Sequence, residues 1–266
     1  MKLAINSHKL QGVNNVPFVV PSPNELRRQG AVFFIGANLP VLETLETMYE
    51  SYCQESSELF YVTFTGREEL HANLELVRQI KKNFSVRLMG RINFPLPEAY
   101  FEQLYLAGLD LLDIPLHVLT GRLQPPAHDT FAFLGKAAAA FPRWSLTSSL
   151  QSDEMDMPAL RSAIDRLLDN GIVPFVTLPV VAAEKVRDSA TAIFAYLADS
   201  WHRRHVPIKP LLPLIRLTTP LELFEPRGFL RNAIGRLHDR KQLATSDLRR
   251  HLRTSGAEAS FESAGL

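Results

Sequence analysis

The stretch Glu58–Ile92 reads ELFYVTFTGREELHANLELVRQIKKNFSVRLMGRI, and its changes of period decide the fold. Glu58–Thr65 is apolar and β-prone, as a strand buried on both faces must be. Glu68–Phe84 then spaces Leu70, Leu74, Val77 and Ile80 at three and four residues, which predicts a helix. That helix closes on Lys81 and Lys82, cations suited to its C-terminus. Ser85–Ile92 is a second apolar run. A strand, a helix and a strand within 35 residues form a crossover unit, which joins parallel neighbours.

The same unit extends in both directions. Apolar runs begin at Ala31, Glu58, Ser85, Leu109, Arg143 and Ile172, separated by 27, 27, 24, 34 and 29 residues. The intervals have helical spacing at Val41–Glu55, Pro97–Ala107, Ala127–Phe141, Pro158–Asn170 and Val186–His205. Proline opens two of these helices, and Gly108 and Gly171 close them. Six units in alternation predict an α/β fold with a parallel sheet. A closed eight-unit barrel needs roughly 250 residues. Residues 31–205 hold six units, so a (βα)6 partial TIM-type barrel is expected, with a doubly wound, flavodoxin-like sheet as the alternative.

Residues 1–30, rich in Asn, Pro and Ser, read as an irregular lead-in. Residues 206–253 form a C-terminal extension. Its first part (IKPLLPLIRLTTPLELF) is apolar but broken by prolines, and its second part is basic and helical. Residues 254–266 read as a disordered tail.

Composition narrows the function. The chain has 266 residues, 46% hydrophobic, with 29 Lys+Arg against 28 Asp+Glu, which excludes wholesale disorder. No apolar run reaches membrane-spanning length, and Met1–Gly12 lacks the apolar core of a secretory signal, so a soluble cytoplasmic protein is expected. The lone Cys53 excludes an internal disulfide, and no thiolate zinc or iron–sulfur site can come from this chain alone. Residues 226–253 carry net charge +6 and residues 1–225 carry −3. The basic part reads as a solvated helix rather than a surface for nucleic acid or anionic lipid. With 207–224 it is also a candidate docking surface for a protein partner.

In parallel α/β folds the working groups sit at the carboxyl ends of the strands. Thr65-Gly66-Arg67-Glu68-Glu69 follows the second strand, and its glycine turn and helix amides suit a carboxylate, while Glu68 or Glu69 suits an amine. The same acidic residues equally serve the helix dipole. Arg91 and Asn93 after the third strand either face a mouth or solvate a loop. On the fourth strand Asp113 and His117 share a face, as an acid–base pair or as a satisfied structural contact. On the fifth, Ser145, Thr147, Ser148 and Ser149 place hydroxyls where Val and Ile are expected, which suggests a ligand-filled or hydrated cavity. Asp153, Glu154 and Asp156 read as caps for the next helix. His202 and His205 read as a solvated cluster, and no metal site, P-loop, dinucleotide fingerprint or serine elbow occurs.

These stretches together resemble the core of the radical S-adenosylmethionine (radical SAM) superfamily, over about Val32 to Val180. Phe64-Thr-Gly-Arg-Glu-Glu-Leu70, with LELVRQIKK and VRLMGRIN, is similar to that family's second strand, Gly-Gly-Glu turn, helix and third strand. Ala107–His117 is similar to its fourth strand. Leu146-Thr-Ser-Ser-Leu150 with LRSAIDRLLDNGIVPFVTLPV resembles its fifth and sixth units. The resemblance implies a partial barrel of six units. It also implies that Gly66, Arg67 and Glu68 receive the amino group of S-adenosylmethionine, and that Ser145, Thr147 and Ser149 are the positions to watch near its ribose or methionyl part. Asn93, after the third strand, is a further cofactor-binding candidate.

Two departures follow. Arg67 replaces the middle glycine. The stretch Gly36-Ala-Asn-Leu-Pro-Val-Leu42 stands where the family carries three cluster-binding cysteines, and it has none. The expectation is a degenerate member without its own [4Fe–4S] cluster, binding a small polar ligand, with S-adenosylmethionine the candidate, or serving as a partner subunit. The alternative is an active barrel enzyme with another cofactor, using Glu68, Asp113 and His117 in acid–base chemistry.

Overall fold

The computed structural model describes residues 3–13, 22, 24–36, 38–54, 57–64, 66–94, 96–116, 128–152, 155–177, 184–223, 244–245 and 247–253. Six parallel strands occupy the predicted positions: β3 (Val32–Gly36), β4 (Leu59–Phe64), β5 (Arg87–Ile92), β6 (Leu111–Asp113), β7 (Leu146–Gln151) and β8 (Val173–Thr177). Their helices are α2 (Val41–Gln54), α3 (Leu70–Asn83), α4 (Ala99–Ala107), α5 (His128–Ala140), α6 (Met157–Asp169) and α7 (Glu184–Arg203). The expected stops hold. Gly108 has φ +125° beyond α4 and Gly171 φ +71° after α6, a conformation that favours glycine. Asp156 caps α6 by accepting from the Ala159 amide at 2.8 Å, with Pro158 in the first turn.

The lead-in is more ordered than its composition suggests. It holds β1 (Leu3–Ile5), α1 (Ser7–Val13) and β2 (Leu26–Gln29). β2 pairs antiparallel with β3 through a tight turn at Gly30, where φ is +57°. Its sequence, LRRQ, hides it, because arginines blunt an edge strand against further pairing. β1 pairs antiparallel with β9 (Leu221–Leu223), so the lead-in is tied to the segment that follows α8 (Leu212–Thr218). Asn6 supports the junction. Its side-chain oxygen accepts from the amides of His8 and Lys9, and its nitrogen donates to Glu222 at 2.9 Å.

The large sheet runs in sequence order, β2-β3-β4-β5-β6-β7-β8. A flavodoxin-like sheet doubles back at a switch point, and this one does not. No pairing joins β2 to β8 among the described residues, so no closed barrel forms. The molecule is a mixed α/β protein built on a seven-stranded, mostly parallel sheet. Right-handed crossovers between consecutive strands lay successive helices on one face. Tyr52 of α2 packs edge-on against Phe60 of β4 with ring centroids 6.4 Å apart, which identifies that face. Phe60, Val62 and Phe64 point to it, and Tyr61 and Thr63 point to the other.

Part of the proline-broken stretch packs into the body of the protein. Leu211, Leu214 and Ile215, within or beside α8 (Leu212–Thr218), are buried in the same core as the strands. The basic segment is also only partly solvated. Arg250, in a helix over 247–253, is buried against Asp110. Much of 224–246 and the expected tail 254–266 lie outside the described residues. Among the described residues, no helix is long and apolar enough to cross a membrane.

Candidate functional site

The face of the sheet opposite Phe60 and α2 is apolar at one end and polar towards the carboxyl ends of its central strands. Strand register brings the polar groups into a row. Thr63 pairs with Arg91, Arg91 with Asp113, and Asp113 with Thr147. Parallel register places all four on one face, and Tyr61 and Ser149, two residues along their strands, join them.

Asp113 is the hub. Its Oδ2 accepts from Arg91 Nη1 at 2.8 Å, Ser149 Oγ at 3.1 Å and the Tyr61 hydroxyl at 3.2 Å. Its Oδ1 accepts from Thr147 Oγ1 at 2.9 Å and Ser149 Oγ at 3.1 Å. A buried carboxylate is stable only with such partners. The hydroxyl-rich β7 therefore exists largely to solvate Asp113 in the absence of water. Ser148, on the opposite face, donates to the Ile114 carbonyl at 2.8 Å. With both oxygens engaged, Asp113 suits positioning better than proton transfer.

Arg91 is held from two sides, by Asp113 and by Asn93, whose Oδ1 accepts from Nε at 2.9 Å. Its Nη2 makes no hydrogen bond among the described residues. Burial works against its charge, but the neighbouring Tyr61 and Asp113 more than offset this, and Arg91 stays protonated. Burial also pushes the Tyr61 phenol well above its ordinary value, reinforced by Asp113 and opposed by Arg91. Tyr61 is therefore a neutral donor at any physiological pH.

Of the expected site residues, Asn93, Asp113, Thr147 and Ser149 meet in this cluster. Ser145 does not. It precedes β7 at the opposite end of the sheet and is half-buried, its amide donating to the Pro142 carbonyl at 3.0 Å. Gly66, Arg67 and Glu68 follow β4 as expected, but Arg67 and Glu68 are exposed. Glu69 is half-buried and its carboxylate faces the side-chain amide of Asn38 on the neighbouring loop, which is satisfied when the amide nitrogen is the atom turned towards it. His117 lies outside the described residues, as do Asp153 and Glu154.

Two members went unrecognised in the sequence. Tyr61 and Thr63 read there as ordinary β-formers. The available signal was their alternation with Phe60, Val62 and Phe64. Thr63 is 1% exposed, and its Oγ1 has no partner among the described residues, an arrangement that costs about 1–3 kcal/mol.

A cluster-binding centre does not fit this chain. The loop after β3 offers Asn38, Leu39 and Pro40, with no thiolate, and Cys53 is exposed on α2. Among the described residues, no three His, Cys, Asp or Glu side chains gather as metal ligands.

No protein-family model and no curated protein matches the sequence. Among solved structures the chain is similar to the crystal structure of MenC from Desulfotalea psychrophila LSv54, at 11% identity and a TM-score of 0.39. The match covers 67% of this chain and 52% of that one, so the chain spans about half the length of the structure it matches.

Proposed function

We propose that this protein is a small-ligand-binding partial barrel, a degenerate relative of the radical SAM fold that works without a [4Fe–4S] cluster of its own. One observation carries the reading: Arg91 is fixed by Asp113 and Asn93 while its Nη2 has no hydrogen-bond partner among the described residues, near the carboxyl ends of parallel strands. A buried guanidinium pre-set in this way is ready to receive an acceptor group with little loss of side-chain entropy. The unbroken strand order and the count of six units support the partial-barrel part of the reading. The lone exposed thiol supports the cluster-free part.

S-adenosylmethionine remains the candidate ligand. Gly66 supports it, because among the described residues a Cβ there would meet nothing within 4 Å, and its φ lies outside the region that favours glycine. Neither packing nor backbone conformation then explains the glycine, whereas the close approach of a ligand would. Thr147 and Ser149 do not offer free hydroxyls, since both are donated to Asp113.

The test is a thermal-shift titration with S-adenosylmethionine and S-adenosylhomocysteine, alongside iron analysis of anaerobically purified protein. Stabilisation should grow with ligand concentration, with iron at trace level. Four irons per chain, or deoxyadenosine among the products, would overturn the cluster-free reading. Flat titrations with both compounds would remove the adenosyl ligand.

A further inference from the structure

We infer that the ligand carries a carboxylate, and that Arg91 Nη2 and Thr63 Oγ1 read it together. The inference rests on the binding reading above and specifies the chemical class. Thr63 and Arg91 are register partners on adjacent strands, about 4.8 Å apart across the ladder. Tyr61, two residues before Thr63, reaches Asp113 on the face opposite α2, so Thr63 points the same way. On the other side Thr63 pairs with Gly36, which has no side chain to fill the space beside it.

The chemistry of the row is selective. The Tyr61, Thr147 and Ser149 hydroxyls all donate to Asp113, whereas the Thr63 hydroxyl is buried and has no partner among the described residues. Valine would fill the same volume with no polar atom, so packing does not explain the threonine. Among the described residues Arg91 Nη2 also has no hydrogen-bond acceptor. One guanidinium nitrogen and one hydroxyl on neighbouring strands match the two oxygens of a carboxylate. The positive charge is already half-committed to Asp113, which suits a monoanion better than a phosphate dianion. A carboxylate that reaches Thr63 must displace the atoms now packed over it.

The experiment uses the full chain labelled with 15N and 13C, with the Arg91 Nε–H signal assigned by through-bond correlation. Sodium acetate is titrated against acetamide, sodium chloride and inorganic phosphate at matched ionic strength. The Arg91 signal should shift saturably with acetate and not with acetamide or chloride. Thr63→Val should raise the half-saturating acetate concentration roughly ten- to a hundredfold, as loss of one hydrogen bond to a charged group does, and should leave the melting temperature unchanged or higher.

Acetate leaving Arg91 unmoved, phosphate moving it at lower concentration, or Thr63→Val binding acetate like the wild type would each overturn the assignment. Stabilisation by an adenosyl compound without an acetate response removes the carboxylate and leaves the binding reading standing. An acetate response without adenosyl stabilisation keeps the carboxylate and removes that ligand.

Discussion

Arg91 Nη1 lies 2.8 Å from Asp113 Oδ2, on register-paired residues of adjacent parallel strands, with side-chain exposures of 8% and 3%. Neither charge has bulk water to return to. Their value lies in being paired, because desolvation of two ions consumes most of the Coulombic gain.

Removing one charge should therefore cost far more than the pair contributes. Asp113→Asn is expected to lower stability by about 3–5 kcal/mol in urea unfolding, because it strands a buried guanidinium. Arg91→Met should cost a similar amount. The double variant should lose less than the sum of the singles, with a coupling energy of about 0.5–3 kcal/mol. Recovery will not be complete, since Tyr61, Thr147 and Ser149 still point at an altered centre. Strict additivity would refute the claim that the two groups stabilise each other.

Asn73 presents the opposite case. It is fully buried in α3 beside Leu70, Leu74 and Val77, and neither its amide oxygen nor its nitrogen has a partner among the described residues. Replacing unpaired polar atoms with apolar ones of similar shape is neutral or stabilising. Asn73→Leu should raise the urea midpoint without changing the slope, by about 1 kcal/mol. A fall in stability would show that the amide has a partner in solution.

The six strands and their helices were legible because burial on both faces leaves unbroken apolar runs, and the helices between them keep a 3.6-residue period. β1 and β2 were not legible. Three residues of Leu-Ala-Ile carry too little pattern, and the arginines that protect β2 as an edge disguise it as a loop. Asp113, Thr147 and Ser149 stood out as polar residues in buried strands, and pairing explains them. Ser145 was misplaced because alternation tells which face a residue occupies but not how far along the strand it lies. Thr63 was invisible because threonine is an ordinary strand residue, and only the lack of a partner marks it. The proline-broken stretch was legible as apolar and unable to form one continuous helix, and its 3₁₀ turn, short α8 and buried leucines match that pattern.

Gly90 tests how tightly the helix-covered face is packed. A Cβ there would lie 2.6 Å from Leu109 Cδ1 and 2.8 Å from Phe64 Cε2, and both side chains are fully buried. Neither can move aside without disturbing the core. Gly90→Ala should cost about 1–3 kcal/mol, as overpacking does. Wild-type stability would mean that this part of the core is looser than described.

The ionic contact at the other end of the sheet predicts how acid acts on the fold. Asp110 is buried between Lys81 Nζ at 2.9 Å and Arg250 Nη2 at 2.6 Å, and it accepts from the Leu88 amide at 3.0 Å. Burial pushes its carboxyl up, but the charges of Lys81 and Arg250 outweigh burial and hold it below the usual carboxylate value. Since the folded-state pKa is the lower one, this group's contribution is complete above the unfolded value of about 3.9 and is lost as pH falls through the folded value. Arg250 also donates to the carbonyls of Tyr105 and Leu109, so the contact pins the helix over 247–253 to α4 and β6. Asp110→Asn should flatten the fall of melting temperature between about pH 5 and pH 2 relative to wild type. Arg250→Ala should lower stability by about 3–5 kcal/mol and expose Arg249 and Arg253 to trypsin while the sheet stays protected. An acid limb unchanged by Asp110→Asn would assign acid sensitivity to other carboxylates. Trypsin resistance at 247–253 in Arg250→Ala would show that Arg253, through Glu102 and the Ala140 carbonyl, suffices to hold that helix.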